Sequence, residues 1–350
     1  MTLNRRDLLT ASGLLLGGPG FAMRAAAAPR PNPSEPLVLC WNENPYGPSP
    51  AARQAVRQSI AAGCRYPSDE ELAQLGNDLA RHEGVAAEHI AIGSGSGELL
   101  CALGLLYGSD GGEIVAAEPT YGELPNYARR RGGALRFVPV DSQLRHDLPA
   151  MQAALSAHTR AVYLCNPNNP TGTALAAAQV REFVRALPPA VVTIVDEAYI
   201  DFADAPGAGS VADLISERRV VVLRTFSKIH GMAGLRCGYA IAAPDIIESL
   251  AAARMASPNI FAVRAARASL TDRGFLDDCR RRIIASRRRI TTELTRLKLH
   301  FAEPQGNFVF FDTGMPLERF AALMSQRNIL VGRHFTPYDS WCRITVGTED

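Results

Sequence analysis

The chain has 350 residues, 47% hydrophobic and 21% charged, which excludes a disordered protein and leaves room for one large core and a smaller second one. Its formal net charge of +2 offers no global attraction to nucleic acid or to an anionic membrane. Arginine runs at 129–131, 280–282 and 287–289 read as solvated helix faces.

In chain order, the first segment stands apart from the fold. Arg5 and Arg6 precede an apolar run rich in Leu and Gly from 8 to 23, and small residues at 25–28 precede Pro29. The run is short for a membrane span. A proline-rich stretch at 29–36 reads as an extended arm. Helices are predicted at 51–62 and 70–82, opened by Pro, Ser or Asp. From about Ile90 short apolar runs alternate with helical stretches. Strands are predicted at 114–117, 135–138, 162–165, 191–195, 220–223 and 239–242, with helices at 98–106, 124–131, 148–157 and 174–187. That alternation predicts an α/β domain with a mostly parallel sheet. Beyond about Asp245 the character changes. A long basic helix at 275–297, an apolar strand around Asn307 to Phe311, a helix at 317–326 and a strand at 343–346 predict a smaller α+β domain. The expected division is 1–28 signal, 29–60 arm and part of the small domain, 61–270 large domain, and 271–350 small domain.

Seven cysteines (Cys40, Cys64, Cys101, Cys165, Cys237, Cys279 and Cys342) are scattered, with no CxxC pair. An odd number excludes complete internal pairing, and the expectation is buried free thiols. No zinc or haem spacing occurs, so no metal site is expected.

Three polar clusters each follow an apolar run. They are Asn166-Pro167-Asn168-Asn169-Pro170-Thr171-Gly172, then Asp196-Glu197-Ala198-Tyr199, then Arg224-Thr225-Phe226-Ser227-Lys228. Strand ends in a parallel sheet share one edge, so the clusters predict a single pocket there. Lys228 ends a buried strand and is well placed for chemistry. Asp196 falls where a buried carboxylate needs a cation or donors. The Gly93-Ser94-Gly95-Ser96-Gly97-Glu98 turn opens a helix whose free amides suit an anion.

This ordered set resembles the pyridoxal-phosphate (PLP) aminotransferases of fold type I, class I/II. The Asn42-Glu43-Asn44-Pro45-Tyr46-Gly47 opening and Arg65-Tyr66-Pro67 point to their histidinol-phosphate aminotransferase-like branch. The resemblance implies a large domain with a mostly parallel central sheet, a smaller α+β domain, and a homodimer. It implies that Lys228 forms the Schiff base and carries the proton, that Asp196 faces the pyridine nitrogen, and that Tyr199 and Asn169 face the ring oxygen. Gly95, Ser96, Gly97, Ser227 and Arg236 would hold the phosphate, with backbone at Gly97 where the family usually has an aspartate. Tyr121 would stack on the ring, and Tyr66 would reach the partner subunit's cofactor. Arg343 would clamp a substrate carboxylate, with Tyr46, Asn169 and Arg333 as further substrate contacts. Aminotransferases of this type usually continue with a short final helix, whereas this chain stops at Asp350.

The expected reaction is transfer of an amino group from an amino acid, or an amine resembling one, to a 2-oxo acid. Two alternatives share these residues: a decarboxylase of a phosphorylated amino acid, and a non-catalytic PLP-binding protein. The N-terminal pattern resembles a twin-arginine (Tat) export signal cleaved before Pro29. It implies a folded, cofactor-loaded protein in the periplasm without a stable membrane anchor, and a substrate outside cytoplasmic histidine synthesis.

Overall fold

A computed structural model describes residues 35–217 and 219–349. The twin-arginine stretch, the cleavage point before Pro29 and most of the proline-rich arm lie outside the described residues. The chain opens with β1 (Leu37–Val38), α1 (Pro50–Ser59), α2 (Asp69–Glu83), β2 (Ile90–Gly93) and α3 (Ser96–Gly108). There follow β3 (Glu113–Glu118), α4 (Glu123–Arg130), β4 (Ala134–Pro139), α5 (Leu148–Ala153), β5 (Thr159–Cys165) and α6 (Ala177–Ala186). Next come β6 (Val192–Asp196), β7 (Val220–Thr225), β8 (Gly238–Ile241), α7 (Pro244–Ala252) and α8 (Ile260–Thr271). The last elements are α9 (Arg273–Arg296), β9 (Phe308–Asp312), α10 (Leu317–Ser325), β10 (Ile329–Leu330) and β11 (Trp341–Thr345).

Seven strands form one sheet in the order β2-β8-β7-β6-β5-β3-β4. All neighbours are parallel except β8, which runs antiparallel to both β2 and β7. The expected α/β architecture is therefore present. Its inner strands are predominantly apolar because both faces are covered by helices. Alternate residues divide between two buried layers: Val162 and Leu164 enter one, Ala161, Tyr163 and Cys165 the other. The register sets Cys165 beside Asp196 and Asp196 beside Leu223, so the carboxyl ends of β5, β6 and β7 lie side by side.

Helix ends follow local chemistry. Ser68 and Glu71 form a reciprocal capping box at the start of α2. Helix α5 stops at Ala153, short of the predicted 157, because the Ser156 amide bonds Thr159 Oγ1 (2.8 Å) and the Ser156 hydroxyl bonds Glu113 Oε1 (2.8 Å). Those local bonds give the backbone an alternative to another helical turn. Strand β2 and helices α7 and α8 stand outside the predicted elements. Most of α8 is buried, and its small residues show little amphipathic pattern.

The smaller domain pairs β9 with β11 antiparallel, over a core that includes Phe202, Phe275, Phe308, Phe311, Cys342 and Val346. The arm joins it: β1 pairs in parallel with β10, the Leu39 amide bonds Leu330 O (2.8 Å), and Leu39 O accepts from the Thr345 amide (2.9 Å). The division at residue 60 needs correction. Ala52 of α1 is buried in the large-domain core, and Ser59 receives a bond from Arg264 of α8 (3.3 Å). Helix α1 thus packs with the large sheet, since its buried face meets α8 and not the small domain. All seven cysteines are free. Four are buried, Cys40 and Cys101 are half-buried and Cys64 is exposed. No described helix is long and apolar enough to cross a membrane.

Candidate active site

One cavity of about 580 Å³ opens where the two domains meet at the carboxyl edge of the sheet. Its lining takes Lys228 and Ser227 from the segment after β7, Asp196 and Tyr199 from the segment at the end of β6, and Asn169 from the loop after β5. Lys228 and Asp196 therefore share one space.

The Lys228 amine donates to the backbone carbonyls of Trp41 (3.2 Å) and Asn42 (3.0 Å) and lies 5.4 Å from the centre of the Tyr199 ring. Burial, and then the positive charge of Arg343, bring this amine down to about 8. A substantial neutral fraction is therefore available near physiological pH, as a nucleophile or base requires. Asp196 is only 2% exposed. Its Oδ1 accepts from the Ala198 amide (3.1 Å) and its Oδ2 from the Tyr163 hydroxyl (3.3 Å). Burial outweighs these bonds and pushes the carboxyl up to about 6.

The Tyr199 hydroxyl oxygen accepts from Asn42 Nδ2 (3.1 Å) and Asn169 Nδ2 (3.3 Å). Burial pushes its pKa well above the usual phenol value, so the phenol stays protonated. Asn169 Oδ1 in turn accepts from Arg343 Nη1 (2.6 Å), while Arg343 Nη2 donates to Cys40 O (2.6 Å). Arg343 Nε is buried without a partner.

At the opposite end, α3 begins at Gly95, whose φ of +84° is a left-handed conformation that glycine adopts without strain. A Cβ there would collide with the Arg236 guanidinium. Ser96, Gly97, Ser227 and Arg236 line this end, and Arg236 Nη1 donates to Ser227 Oγ (3.4 Å). Backbone amides, a hydroxyl and a guanidinium thus converge as an anion cradle.

Tyr121 and Arg333 also line the cavity, and the Arg333 guanidinium sits 4.4 Å from the centre of the Phe335 ring. Two expected residues lie elsewhere. Tyr46 is fully buried in the small-domain core with Arg282 over its ring at 4.0 Å, so its assignment as a substrate contact is corrected. Trp41 and Asn42, from the same stretch of chain, reach the cavity instead. Tyr66 is 93% exposed and lines a separate depression with Met255 and Phe261. Trp41, Asn42, Thr120, Thr225, Cys101, Glu123 and Phe335 line the cavity without having been singled out. Asn42 opens the Asn42-Glu43-Asn44-Pro45-Tyr46-Gly47 stretch, and its side-chain amide is the signal that points to it.

The residues present fit a pyridoxal phosphate. A buried carboxylate without a cation in contact, a cradle that a side chain would fill and an orphaned guanidinium nitrogen all call for an anionic, nitrogen-containing ligand. Fold and site together define a cofactor enzyme of the α/β type with its chemistry at the sheet edge. The family described as "Aminotransferase class I and II" matches residues 34–350. The chain is 38% identical over 318 residues to histidinol-phosphate aminotransferase of Moorella thermoacetica, covering 89% of this chain and 82% of that one. It is 37% identical over 316 residues to aromatic amino acid aminotransferase of Rhodococcus jostii, covering 89% and 86%. The structure of histidinol-phosphate aminotransferase from Sinorhizobium meliloti in complex with pyridoxal-5'-phosphate superposes with a TM-score of 0.83 at 31% identity, covering 90% of this chain and 87% of that one. The chain belongs to the class I and II aminotransferases, PLP-dependent enzymes that move amino groups between amino acids and 2-oxo acids.

Proposed function

We propose that this transaminase acts on an amino acid with a large aromatic side chain, with Arg343 as the carboxylate clamp. The observation that carries this reading is the placement of Arg343, with its unpaired buried Nε, at one end of a cavity that Trp41, Tyr121 and Phe335 also line. An α-carboxylate takes a guanidinium in two parallel bonds, and aromatic walls suit a planar side chain. Histidinol phosphate carries no carboxylate. The relatives named as aromatic amino acid aminotransferases agree with this choice. Arg333 near Phe335 favours a second reading, an amine bearing a distal phosphate.

When bound, PLP supplies an aldehyde that captures the substrate nitrogen and a ring that draws electrons from Cα. Ser96, Gly97, Ser227 and Arg236 would hold its phosphate, and Tyr121 would cover the ring. Asp196 would keep the pyridine nitrogen protonated, and Tyr199 and Asn169 would bond the ring oxygen. Lys228 Nζ takes the proton from the substrate Cα, which Arg343 orients by gripping the carboxylate.

The proposed assembly is a homodimer in which exposed Tyr66 reaches the neighbouring site, and Arg5-Arg6 directs export of the folded protein to the periplasm. An absorbance scan of the purified holoenzyme against an amino-acid panel tests the substrate. Aromatic donors should bleach the aldehyde-form band fastest. A response to histidinol phosphate alone would overturn the carboxylate reading, and carbon dioxide release without an oxo-acid product would mark a decarboxylase.

A further inference from the structure

Asp196 depends on a neighbour that the reaction does not touch. Tyr163 stands on β5, fully buried, and its ring belongs to the apolar layer with Ile114, Leu99 and Leu223. A phenylalanine would pack there equally well. A hydroxyl buried in such a layer costs several kcal/mol unless it finds a partner. It finds Asp196 Oδ2 at 3.3 Å, while Oδ1 takes the Ala198 amide at 3.1 Å. Both bonds are donated to the carboxylate, and donation favours the ionised form over the protonated one. With one lone pair on each oxygen occupied from the protein side, the remaining acceptor capacity turns toward the cavity that Asp196 lines.

We infer that Tyr163 is a positioning residue that holds Asp196 ionised and aimed at the cavity, and so sets the lowest pH at which the enzyme keeps its cofactor. The inference rests on the proposed role of Asp196 opposite the cofactor nitrogen. Other titratable groups face this carboxyl. Cys165 ends the neighbouring strand β5, Tyr121 is on the loop after β3, Tyr199 three residues along Asp196's own segment, and Lys228 after β7. Burial raises Cys165, Tyr121 and Tyr199, so all three are uncharged at neutral pH, and Lys228 supplies the cationic charge in this set. Among the described residues, Tyr163 is the side chain that hydrogen-bonds Asp196.

The test is cofactor retention by the holoenzyme, measured by equilibrium dialysis and absorbance from mildly acid to alkaline pH. In Tyr163→Phe the acid limb should move up by about one pH unit, which is about tenfold weaker retention at a fixed acid pH, with wild-type retention at alkaline pH. In an Asp196→Asn background the same change should produce no further shift. Site-specific 3-fluorotyrosine at position 163 keeps the shape and donates more strongly, so its acid limb should move down. It also guards against a Phe variant that folds poorly. An unmoved acid limb in a folded Tyr163→Phe protein, or in the fluorotyrosine protein, overturns the inference. If Asp196→Asn itself leaves the bound cofactor's spectrum and retention unchanged, the reading of Asp196 fails. If Asp196→Asn alters them and Tyr163→Phe does not, only the part given to Tyr163 fails.

Discussion

At the scale of single residues, the site is made by burying charges that water would otherwise hold. Lys228 is the proton carrier proposed here, so Lys228→Ala should lower transamination about 1,000-fold or more in a steady-state assay, with partial rescue by small added amines. Retained wild-type turnover would remove the assignment. Asp196 makes a second, thermodynamic prediction. Its folded-state value of about 6 lies above the ordinary 3.8, so burying the charged form costs stability on the order of 3 kcal/mol above pH 6. That cost disappears as pH falls through 6 toward 4. Cofactor-free Asp196→Asn should therefore melt above wild type at pH 8, and the gap should close by pH 4 to 5. A gap that widened toward acid would contradict the buried-carboxylate account. Arg343→Lys keeps the charge but loses the fork. KM for amino-acid donors should rise about tenfold or more, with the bound cofactor's spectrum unchanged.

Elements decide which of these residues meet, and here legibility in the sequence was uneven. Lys228 and Asp196 were readable because each closes an apolar run, and parallel neighbours bring such ends together. Tyr46 was not, because a motif says which residues are adjacent in sequence and not which way each one faces. Asn42 and Trp41 were missed for a related reason: Asn42 adopts a φ of +54°, and this turns the arm across Lys228. Contacts of that kind join positions 186 and 187 residues apart, beyond any local pattern. The antiparallel direction of β8 was equally hidden, since an apolar run carries no direction. The start of α3 is where an element and a residue constrain each other most tightly. Gly95→Ala would place a Cβ against Arg236 at a left-handed φ. The variant should still fold by circular dichroism, while PLP dissociates about tenfold more readily. Unchanged affinity would show that the cradle tolerates a side chain.

For the molecule as a whole, the exposed Tyr66 and the depression around it are features a single chain leaves unused. Under the proposed dimer, Tyr66 serves the neighbouring site. Inactive Lys228→Ala and impaired Tyr66→Ala proteins, mixed and allowed to exchange subunits, should then regain activity. In a mixed dimer one site collects both defects and the other collects neither. Mixing that leaves activity at the average of the two parents would exclude a shared site.

The seating of the arm also has a consequence for biogenesis. The Asn42 amide bonds Thr345 Oγ1, a residue 303 positions later, and the carbonyl of Asn42 holds the Lys228 amine. A polypeptide still emerging from the ribosome can assemble the seven-stranded sheet well before β11 exists. Its vitamin-derived prosthetic group would then sit in a half-walled chamber, open on the side the arm later closes. Closing that chamber therefore waits until β11 has been made and its threonine can meet the arm.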